Sequence, residues 1–131
     1  MSPPGLGSQR ESGSDCLQRF GEKSERNMFT LGLAMKLRPG SYGAYKLAHD
    51  QLWPELARGM RENQVSMAIY RDGDQLFLFA AAPSDDHWHR SRQDPILARW
   101  DKEMTNFLKT DAQGNIAFTV LPKAFGFGEF K

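Results

Sequence analysis

The amino-acid sequence predicts a single α+β domain, and two kinds of hydrophobic periodicity support this prediction. Apolar residues recur at every second position, as in strands, in the segments 28–37, 65–71, 75–82 and 116–122. Apolar residues recur three and four apart, as in amphipathic helices, after the first and the third of these segments. The order strand, helix, strand, strand, helix, strand is that of a ferredoxin-like (split βαβ) domain.

The composition is that of an ordinary protein domain and indicates no polyanionic partner. Of 131 residues, 40% are hydrophobic and 25% are charged, so the chain can bury a core unaided. Because 17 basic residues balance 16 acidic ones, no overall field would attract nucleic acid or an anionic membrane. No apolar run reaches the roughly 18 residues needed to span a bilayer. Cys16 is the single cysteine and no secretory signal is visible, so we expect a cytoplasmic protein.

Residues 1–27 differ in composition from the rest of the chain. They are rich in Ser, Gly, Pro and charged residues and follow neither a period of 2 nor one of 3.6. Such a segment cannot bury enough apolar surface to offset the entropy that is lost on ordering. We therefore expect a disordered N-terminal tail and a folded domain at 28–131.

The first predicted strand, 28–37, is followed by a helix that starts near Ser41, which offers an N-cap. The larger apolar side chains of the strand share one face: Phe29, Leu31, Leu33, Met35 and Leu37. The helix is expected to run to about Gly59, with Pro54 inside it. Because proline in a helix interior costs about 3 kcal/mol, we expect a kink or a restart of the helix near Trp53.

The next two strands, 65–71 and 75–82, are separated by a short turn of Asp72, Gly73 and Asp74 and predict a hairpin. Their alternate positions are apolar or small on both faces, which indicates a sheet covered on both sides. Two main helices can cover only one of these faces, so we expect a second copy of the chain to cover the other, giving a homodimer. The C-terminal segment 123–131 carries three Phe, and we expect it either to reach across that interface or to cover the core of its own chain.

Two further helices are predicted between the third and fourth strands. Ser84 begins a short one, whose first turn is acidic and so suits the helix dipole. A stronger helix follows, with Asp94 as its cap and Pro95 at its first position. Its inner stripe consists of Leu97, Trp100, Met104, Phe107 and Leu108.

His49 is the residue that the sequence marks most clearly as a candidate for chemistry. On the first helix, the stripe that is expected to face the core of the domain consists of Tyr42, Tyr45, His49, Leu52 and Leu56. A buried imidazole one turn from Tyr45 can exchange protons near neutral pH, since its unperturbed pKa is about 6.5. The two interpretations are an acid/base group and a histidine that is only part of the core.

A metal site is not expected. His87 and His89 lie close to Asp85 and Asp86 in sequence, but residues two apart do not share a helix face and zinc sites draw ligands from separate places. A capped, solvated helix start explains these residues. Cys16 has no base nearby in sequence, and the glycines match no phosphate-binding loop in spacing or context.

Aromatic and polar residues on two helices suit a sugar ring. The set consists of Tyr45, His49 and Trp53 on one helix and Trp100 and Asp101 on another. A tryptophan supplies a flat apolar wall with an N–H at its edge, and tyrosine and histidine supply hydrogen bonds. The alternative is that Trp100 is an ordinary core residue and Asp101 part of a charged helix face.

The segment 45–56, YKLAHDQLWPEL, resembles the signature of the L-rhamnose mutarotase family. In that signature a tyrosine is followed four residues later by a histidine and then by W-P-E-L. The later segments SMAIYRD, QLFLFA, HW and DPILARWDKEM are similar to further parts of that family. The resemblance covers nearly all of 28–131 and excludes the N-terminal tail.

This resemblance implies a dimeric α+β barrel of ferredoxin-like subunits that interconverts the α and β anomers of a pyranose without a cofactor. The expected substrate is L-rhamnose or a related 6-deoxy sugar. His49 takes the position of the family's acid/base group, and Tyr45 and Trp100 those of substrate-binding residues. Met67 and Asp101 replace a second substrate-binding tyrosine and a second tryptophan. Asp101 is therefore a candidate substrate-binding residue, and the identity of the sugar stays open.

The competing hypothesis is another member of the dimeric α+β barrel class. A cofactor-free monooxygenase-like protein, a small-ligand binding module and a dimerising scaffold with a structural His49 all share the expected topology. Fold alone does not decide between them. The W-P-E-L that follows His49 favours the mutarotase.

Overall fold

The computed structural model describes residues 28–131. Four strands are present in this part of the chain: β1 Phe29–Lys36, β2 Ser66–Asp72, β3 Gln75–Ala82 and β4 Phe118–Leu121. Four helices accompany them: α1 Tyr42–Asp50, α2 Pro54–Glu62, α3 Asp85–Ser91 and α4 Ile96–Met104. A single 3₁₀ turn follows at Gly128–Phe130. The predicted disordered tail, residues 1–27 including Cys16, lies outside the described residues.

The strands form one antiparallel sheet in the order β2-β3-β1-β4. This order confirms the ferredoxin-like arrangement that the hydrophobic pattern predicted. Leu33 of β1 lies directly between Leu78 of β3 and Val120 of β4. Because directly opposed residues in an antiparallel pair share a face, the register aligns the apolar side chains of three strands on one side.

The predicted break in the first helix is confirmed as a restart. Helix α1 ends at Asp50, and α2 begins at Pro54, where a missing backbone N–H costs nothing. Trp53 precedes it in an extended conformation (φ −60°, ψ 134°). Ser41 is the N-cap residue of α1, as predicted, but the expected hydrogen bond from a backbone N–H to its side chain is absent. Ser41 has helical angles (φ −94°, ψ −4°), whereas capping side chains sit on an extended residue.

The predicted cap Ser84 is confirmed, and Asp94 makes a capping hydrogen bond although α4 begins one residue later than predicted, with Pro95 as its N-cap residue. The Ser84 hydroxyl accepts a hydrogen bond from the His87 backbone N–H (3.2 Å) at the start of α3. The Asp94 carboxylate accepts one from the backbone N–H of Ile96 (2.9 Å), the first residue of α4. These bonds satisfy N–H groups that have no partner inside the helix.

Helix α4 is shorter than its apolar stripe predicted. It ends at Met104, and Leu108 instead forms an isolated bridge with Leu37, next to a hydrogen bond from Lys109 N–H to Lys36 O (2.9 Å). The chain after α4 thus pairs with the end of β1. Leu108 still reaches the core, because this bridge places it beside the fully buried Leu37.

The two faces of the sheet have different surroundings. The helix-facing side packs into a core of Met35, Leu37, Tyr45, Leu76, Trp100, Met104 and Leu108. The opposite side, here called the outer face, exposes Tyr70 (69%), Phe77 (38%), Phe79 (40%) and Leu121 (38%). The sheet is therefore apolar on both sides, as predicted, and helices cover one of them.

The C-terminal segment lies partly on the outer face of its own chain. The Phe130 ring stands edge-on to Phe79 at 5.5 Å between centroids. Lys123 Nζ donates a hydrogen bond to the Phe130 carbonyl and draws the segment into a loop. Phe125 and Phe127 point away from the chain and are 81% and 79% exposed. The segment touches its own chain but does not cover the core, so that predicted role is wrong, whereas its reach across an interface stays a prediction.

Candidate active site

A cavity of about 1070 Å³ lies between the helices and the helix-facing side of the sheet. The strands supply an apolar floor, which includes Leu31, Leu33, Ile69 and Leu78. The helices supply the groups that can do chemistry, among them Tyr45, His49, Trp100 and Asp101. The sequence-predicted residues therefore come together around a space large enough for a small molecule.

His49 stands in the last turn of α1 and is half-buried in the cavity wall. Its Nδ1 lies 2.9 Å from the backbone carbonyl oxygen of Tyr45. Because a carbonyl can only accept, Nδ1 carries the hydrogen, and Nε2 of the neutral ring holds the free lone pair. The predicted burial is only partial, so the ring is not enclosed in the core.

The pKa of His49 is lowered, chiefly because burial disfavours the charged imidazolium. The hydrogen bond to the Tyr45 carbonyl and the nearby Asp50 act in the opposite direction, and Lys46 lowers it further. The ring is therefore mainly neutral at pH 7. A neutral imidazole with Nε2 free can accept a proton from a bound molecule.

Tyr45 lies one turn before His49 and is 5% exposed. The two rings are 4.3 Å apart between centroids and tilted by 38°. Burial raises the pKa of Tyr45 to about 12, so its hydroxyl keeps its proton at neutral pH. That hydroxyl can donate a hydrogen bond but cannot act as a base.

Trp100 joins the two helical regions of the site. It is 8% exposed, and its ring stands edge-on to His49 at 5.2 Å and to Trp53 at 5.1 Å between centroids. The predicted aromatic set is thus assembled in space. Trp53 reaches it from the link between α1 and α2, not from the same helix as His49 as expected.

Asp101 is half-buried in the cavity wall beside Trp100, and sequence reasoning missed the cation that faces it. Burial raises the pKa of Asp101, and the charge of Arg92 opposes this. Burial lowers the pKa of Arg92, and Asp101 opposes that shift. Nothing in the spacing of Arg92 indicated this, because Arg92 follows α3 whereas Asp101 lies in α4.

Two further cavity residues extend this description. Met67, one of the two departures from the family pattern, lines the cavity from β2, as expected. Arg71, also missed, places its guanidinium carbon 3.7 Å from the ring centre of Tyr42. Such a contact between a cation and an aromatic face is favourable.

Within residues 28–131, no three His, Cys, Asp or Glu side chains are grouped so that they could hold a metal ion. His87 is engaged with the side chain of Ser84 (Nδ1 to Oγ, 2.7 Å), and Asp85 and Asp86 occupy the first turn of α3. None of the helices in this part of the chain has the length and apolarity that crossing a membrane requires.

Comparison with known proteins decides the family. Residues 30–125, which make up most of the chain, match the family model described as L-rhamnose mutarotase. The chain belongs to the L-rhamnose mutarotase family. Proteins of this family are isomerases, and the protein is accordingly a sugar mutarotase, an enzyme that interconverts the anomers of a sugar.

Individual relatives agree with this assignment. An L-rhamnose mutarotase from Burkholderia orbicola is 32% identical over 90 residues, which are 66% of this chain and 86% of that protein. One from Flavobacterium johnsoniae is 28% identical over 107 residues, covering 79% of this chain and 96% of the relative.

Solved structures show the same fold. The crystal structure of an L-rhamnose mutarotase from Formosa agariphila has a TM-score of 0.63 and 29% identity, and covers 76% of this chain and 99% of its own. A protein from Nitrosomonas europaea, described as a putative antibiotic biosynthesis monooxygenase, has a TM-score of 0.56 at 10% identity, over 78% and 95% of the two chains. At that identity the likeness shows the fold alone.

Proposed function

We propose that the mutarotase acts on a pyranose of the L-rhamnose type and that His49 is its acid/base group. One observation carries this proposal: a neutral, half-buried imidazole lines the cavity with Nδ1 tied to the Tyr45 carbonyl and Nε2 free. The names of the relatives indicate the type of sugar. We further propose that residues 28–131 form the whole mutarotase domain.

Mutarotation requires a proton to move between two oxygens of the sugar. His49 Nε2 takes the proton of the anomeric hydroxyl and delivers it to the ring oxygen as the bond from C1 to the ring oxygen breaks. The aldehyde formed at C1 rotates, and ring closure on its other face reverses the proton movement. Positioned acid/base catalysis of this kind contributes about 10² to 10⁴-fold.

Three neighbours of His49 are proposed to hold the sugar. The Tyr45 hydroxyl, protonated at neutral pH, donates a hydrogen bond to a sugar oxygen. Trp100 offers its indole as an apolar wall beside the imidazole. Asp101 accepts hydrogen bonds from sugar hydroxyls, supported by its place in the cavity wall. No cofactor takes part in these steps.

We also propose that the enzyme is a homodimer joined through the outer face. Four large apolar side chains are exposed there, and contiguous apolar surface of this kind marks an association site. A second copy would bury the same residues from both chains. The cytoplasm is the proposed compartment, in accord with one cysteine in 131 residues.

The test is anomeric exchange of equilibrated L-rhamnose, measured by saturation-transfer NMR with wild type and with His49→Asn. We expect acceleration by wild type and loss of most of it in the variant. His89→Asn is the matched control, since His89 is exposed and lies outside the cavity lining, and it should keep full activity. Equal exchange rates with wild type and His49→Asn would contradict the role of His49.

A further inference from the structure

Arg71 introduces a charge into a row of side chains that is otherwise apolar. Met67 and Ile69 precede it at every second position of β2, so the three side chains share the helix-facing side of the sheet. Arg71 pairs with Leu76 of β3, which is 1% exposed in the core. All four residues line the cavity that His49 also lines. A cation therefore enters the wall of the candidate active site from an edge strand of the sheet.

Two contacts hold the guanidinium of Arg71 in place. Its Nε–H donates a hydrogen bond to the Gly73 carbonyl (2.9 Å), and its Cζ lies 3.7 Å from the ring centre of Tyr42 on α1. A solvated surface arginine has no such anchors, and holding the planar group reduces the entropy that is lost when it binds a ligand. Within residues 28–131, its two Nη groups make no hydrogen bond. Their four N–H donors therefore remain for a bound molecule.

Arg71 differs in this respect from Lys46, a cation of α1 that also lines the cavity. The Nζ of Lys46 donates to both carboxylate oxygens of Asp50, at 2.6 and 2.7 Å, so the protein itself satisfies this charge. Arg71 rests on an aromatic ring instead. This contact stabilises the positive charge and uses none of the N–H groups, which lie in the plane of the guanidinium.

The contact between Arg71 and Tyr42 lies about one sugar length from His49. Tyr42 and His49 are seven residues apart on one face of α1, which separates them by about 10 Å along the helix. Because helical side chains all lean toward the N-terminus, their rings keep this spacing. A pyranose whose anomeric hydroxyl meets His49 Nε2 spans a comparable length when it forms a hydrogen bond at each end.

We propose that Arg71 is a substrate-binding residue, whose Nη groups donate hydrogen bonds to a ring hydroxyl of the sugar other than the anomeric one. Tyr42 is the platform that fixes the guanidinium. This inference rests on the proposed function and adds a residue that the family resemblance did not mark. A guanidinium suits this task, because neighbouring N–H groups can bind one hydroxyl oxygen or two adjacent ones. The sugar is then held at both ends of the row formed by Tyr42, Tyr45 and His49 on α1.

The first test is Arg71→Met, which keeps an unbranched apolar side chain and removes every donor. Saturation-transfer NMR over a range of L-rhamnose concentrations gives kcat and KM. We expect KM to rise about tenfold, the effect of losing one hydrogen bond to a charged group. The value of kcat should stay within about twofold of wild type, because this bond is made equally in the ground state and the transition state.

The matched control is Arg58→Met, which removes an exposed cation of α2 outside the cavity lining. It should leave kcat and KM unchanged. Because Arg71 is exposed, Arg71→Met should unfold at nearly the same urea concentration as wild type. A rise of KM in a protein of unchanged stability is not expected from a purely structural contact.

Deoxy sugars test whether Arg71 touches the substrate. The 2-deoxy, 3-deoxy and 4-deoxy forms of L-rhamnose each lack one ring hydroxyl that Arg71 could bind. For at least one of them, wild type and Arg71→Met should have the same KM, because the hydroxyl that Arg71 binds is already missing. For L-rhamnose the tenfold difference should remain. A structural role of Arg71 would change KM for all four sugars alike.

The outcomes separate this inference from the proposed function. An unchanged KM in Arg71→Met, the same rise in Arg58→Met, or a rise that persists with every deoxy sugar would overturn the role of Arg71, even if exchange is fast. If wild type accelerates no exchange, titration calorimetry with the same sugars gives Kd in place of KM. A Kd that depends on Arg71 for L-rhamnose but not for one deoxy sugar would support the binding role, while the mutarotase proposal fails for these sugars. If wild type neither exchanges nor binds them, both fail.

Discussion

The two faces of the sheet are built from similar side chains but do different things. On the helix-facing side, Leu37 and Leu76 are fully buried, and the strands form one wall of the cavity that His49 also lines. The outer face presents Tyr70, Phe77 and Phe79, and Phe130 lies against Phe79. The hydrophobic content of a strand therefore does not reveal its role. What covers each face decides whether its apolar residues stabilise the fold or remain available for association.

Replacing one leucine on each side of the sheet by alanine should give the largest difference between the two faces, measured as the loss in the free energy of unfolding. Leu37→Ala should lower the free energy of unfolding by about 2–5 kcal/mol, because it leaves a cavity in a fully enclosed place. Leu121→Ala, at a residue 38% exposed on the outer face, should cost about 1 kcal/mol or less at protein concentrations low enough to keep the chain monomeric. Urea denaturation followed by circular dichroism measures both. Equal losses would remove the proposed difference between the faces.

A charge on the outer face should separate the proposed dimer. Phe79→Glu would bury a carboxylate in the interface without a partner and should weaken dimerisation by about a hundredfold or more. Sedimentation velocity over a range of concentrations measures this change. Ala44→Glu adds the same charge at an exposed position of α1 and should leave the association unchanged. A wild-type protein that stays monomeric at high concentration would refute the dimer.

The pH dependence of activity tests the environment of His49, which lies on the helix-facing side of the sheet. Because burial lowers the pKa of His49, activity should fall on acidification with a midpoint below about 6.5. It should stay level from pH 7 to 9, since the pKa of Tyr45 is about 12. The check is kcat/KM against pH after subtraction of the uncatalysed rate. A midpoint above 6.5 would contradict a desolvated His49.

The same shift predicts a small effect on stability. As the pH falls below about 6.5, the unfolded chain binds a proton at His49 before the folded chain does, so stability declines down to the folded pKa. His49→Asn should therefore have a flatter dependence of stability on pH between 7 and 5. Thermal unfolding at several pH values measures it. Parallel curves for the two proteins would show that His49 contributes nothing to this slope.

The smallest expected effect concerns the C-terminal segment. Phe130→Ala removes one edge-on contact with Phe79 at a residue already 39% exposed, and should cost about 1 kcal/mol or less. The same variant should expose more of the outer face and leave kcat/KM unchanged. Urea denaturation measures the change in the free energy of unfolding, and the anomeric exchange of L-rhamnose measures kcat/KM. A loss of activity would show that the segment also serves the catalytic side.

The sequence predicted features that depend on neighbours along the chain. The alternation in β1 and β3 indicated the strands, Pro54 indicated the helix restart, and Ser84 and Asp94 indicated caps. The spacing of Tyr45 and His49 by four residues predicted their contact, because residues four apart meet on a helix. These features depend on local geometry, which a single sequence contains.

Features that depend on packing between distant segments were missed. Arg92 follows α3 and Asp101 lies in α4, yet both line the same cavity, and neither residue carries a local pattern that indicates the other. The early end of α4 has the same origin, since Leu108 leaves the helical stripe to pair with Leu37. The missing side-chain cap at Ser41 differs, because it follows from that residue's own backbone angles.

The hydrogen bond from His49 to the Tyr45 carbonyl has a consequence for how such an enzyme can evolve. A backbone carbonyl of α1 determines which nitrogen of the imidazole carries the hydrogen. Substitutions elsewhere in the cavity wall, such as those at Met67 and Asp101, can therefore accumulate without changing the tautomer of the proposed acid/base group. A lineage that keeps the helix and its histidine can change the sugar it accepts one wall residue at a time and remain a mutarotase throughout.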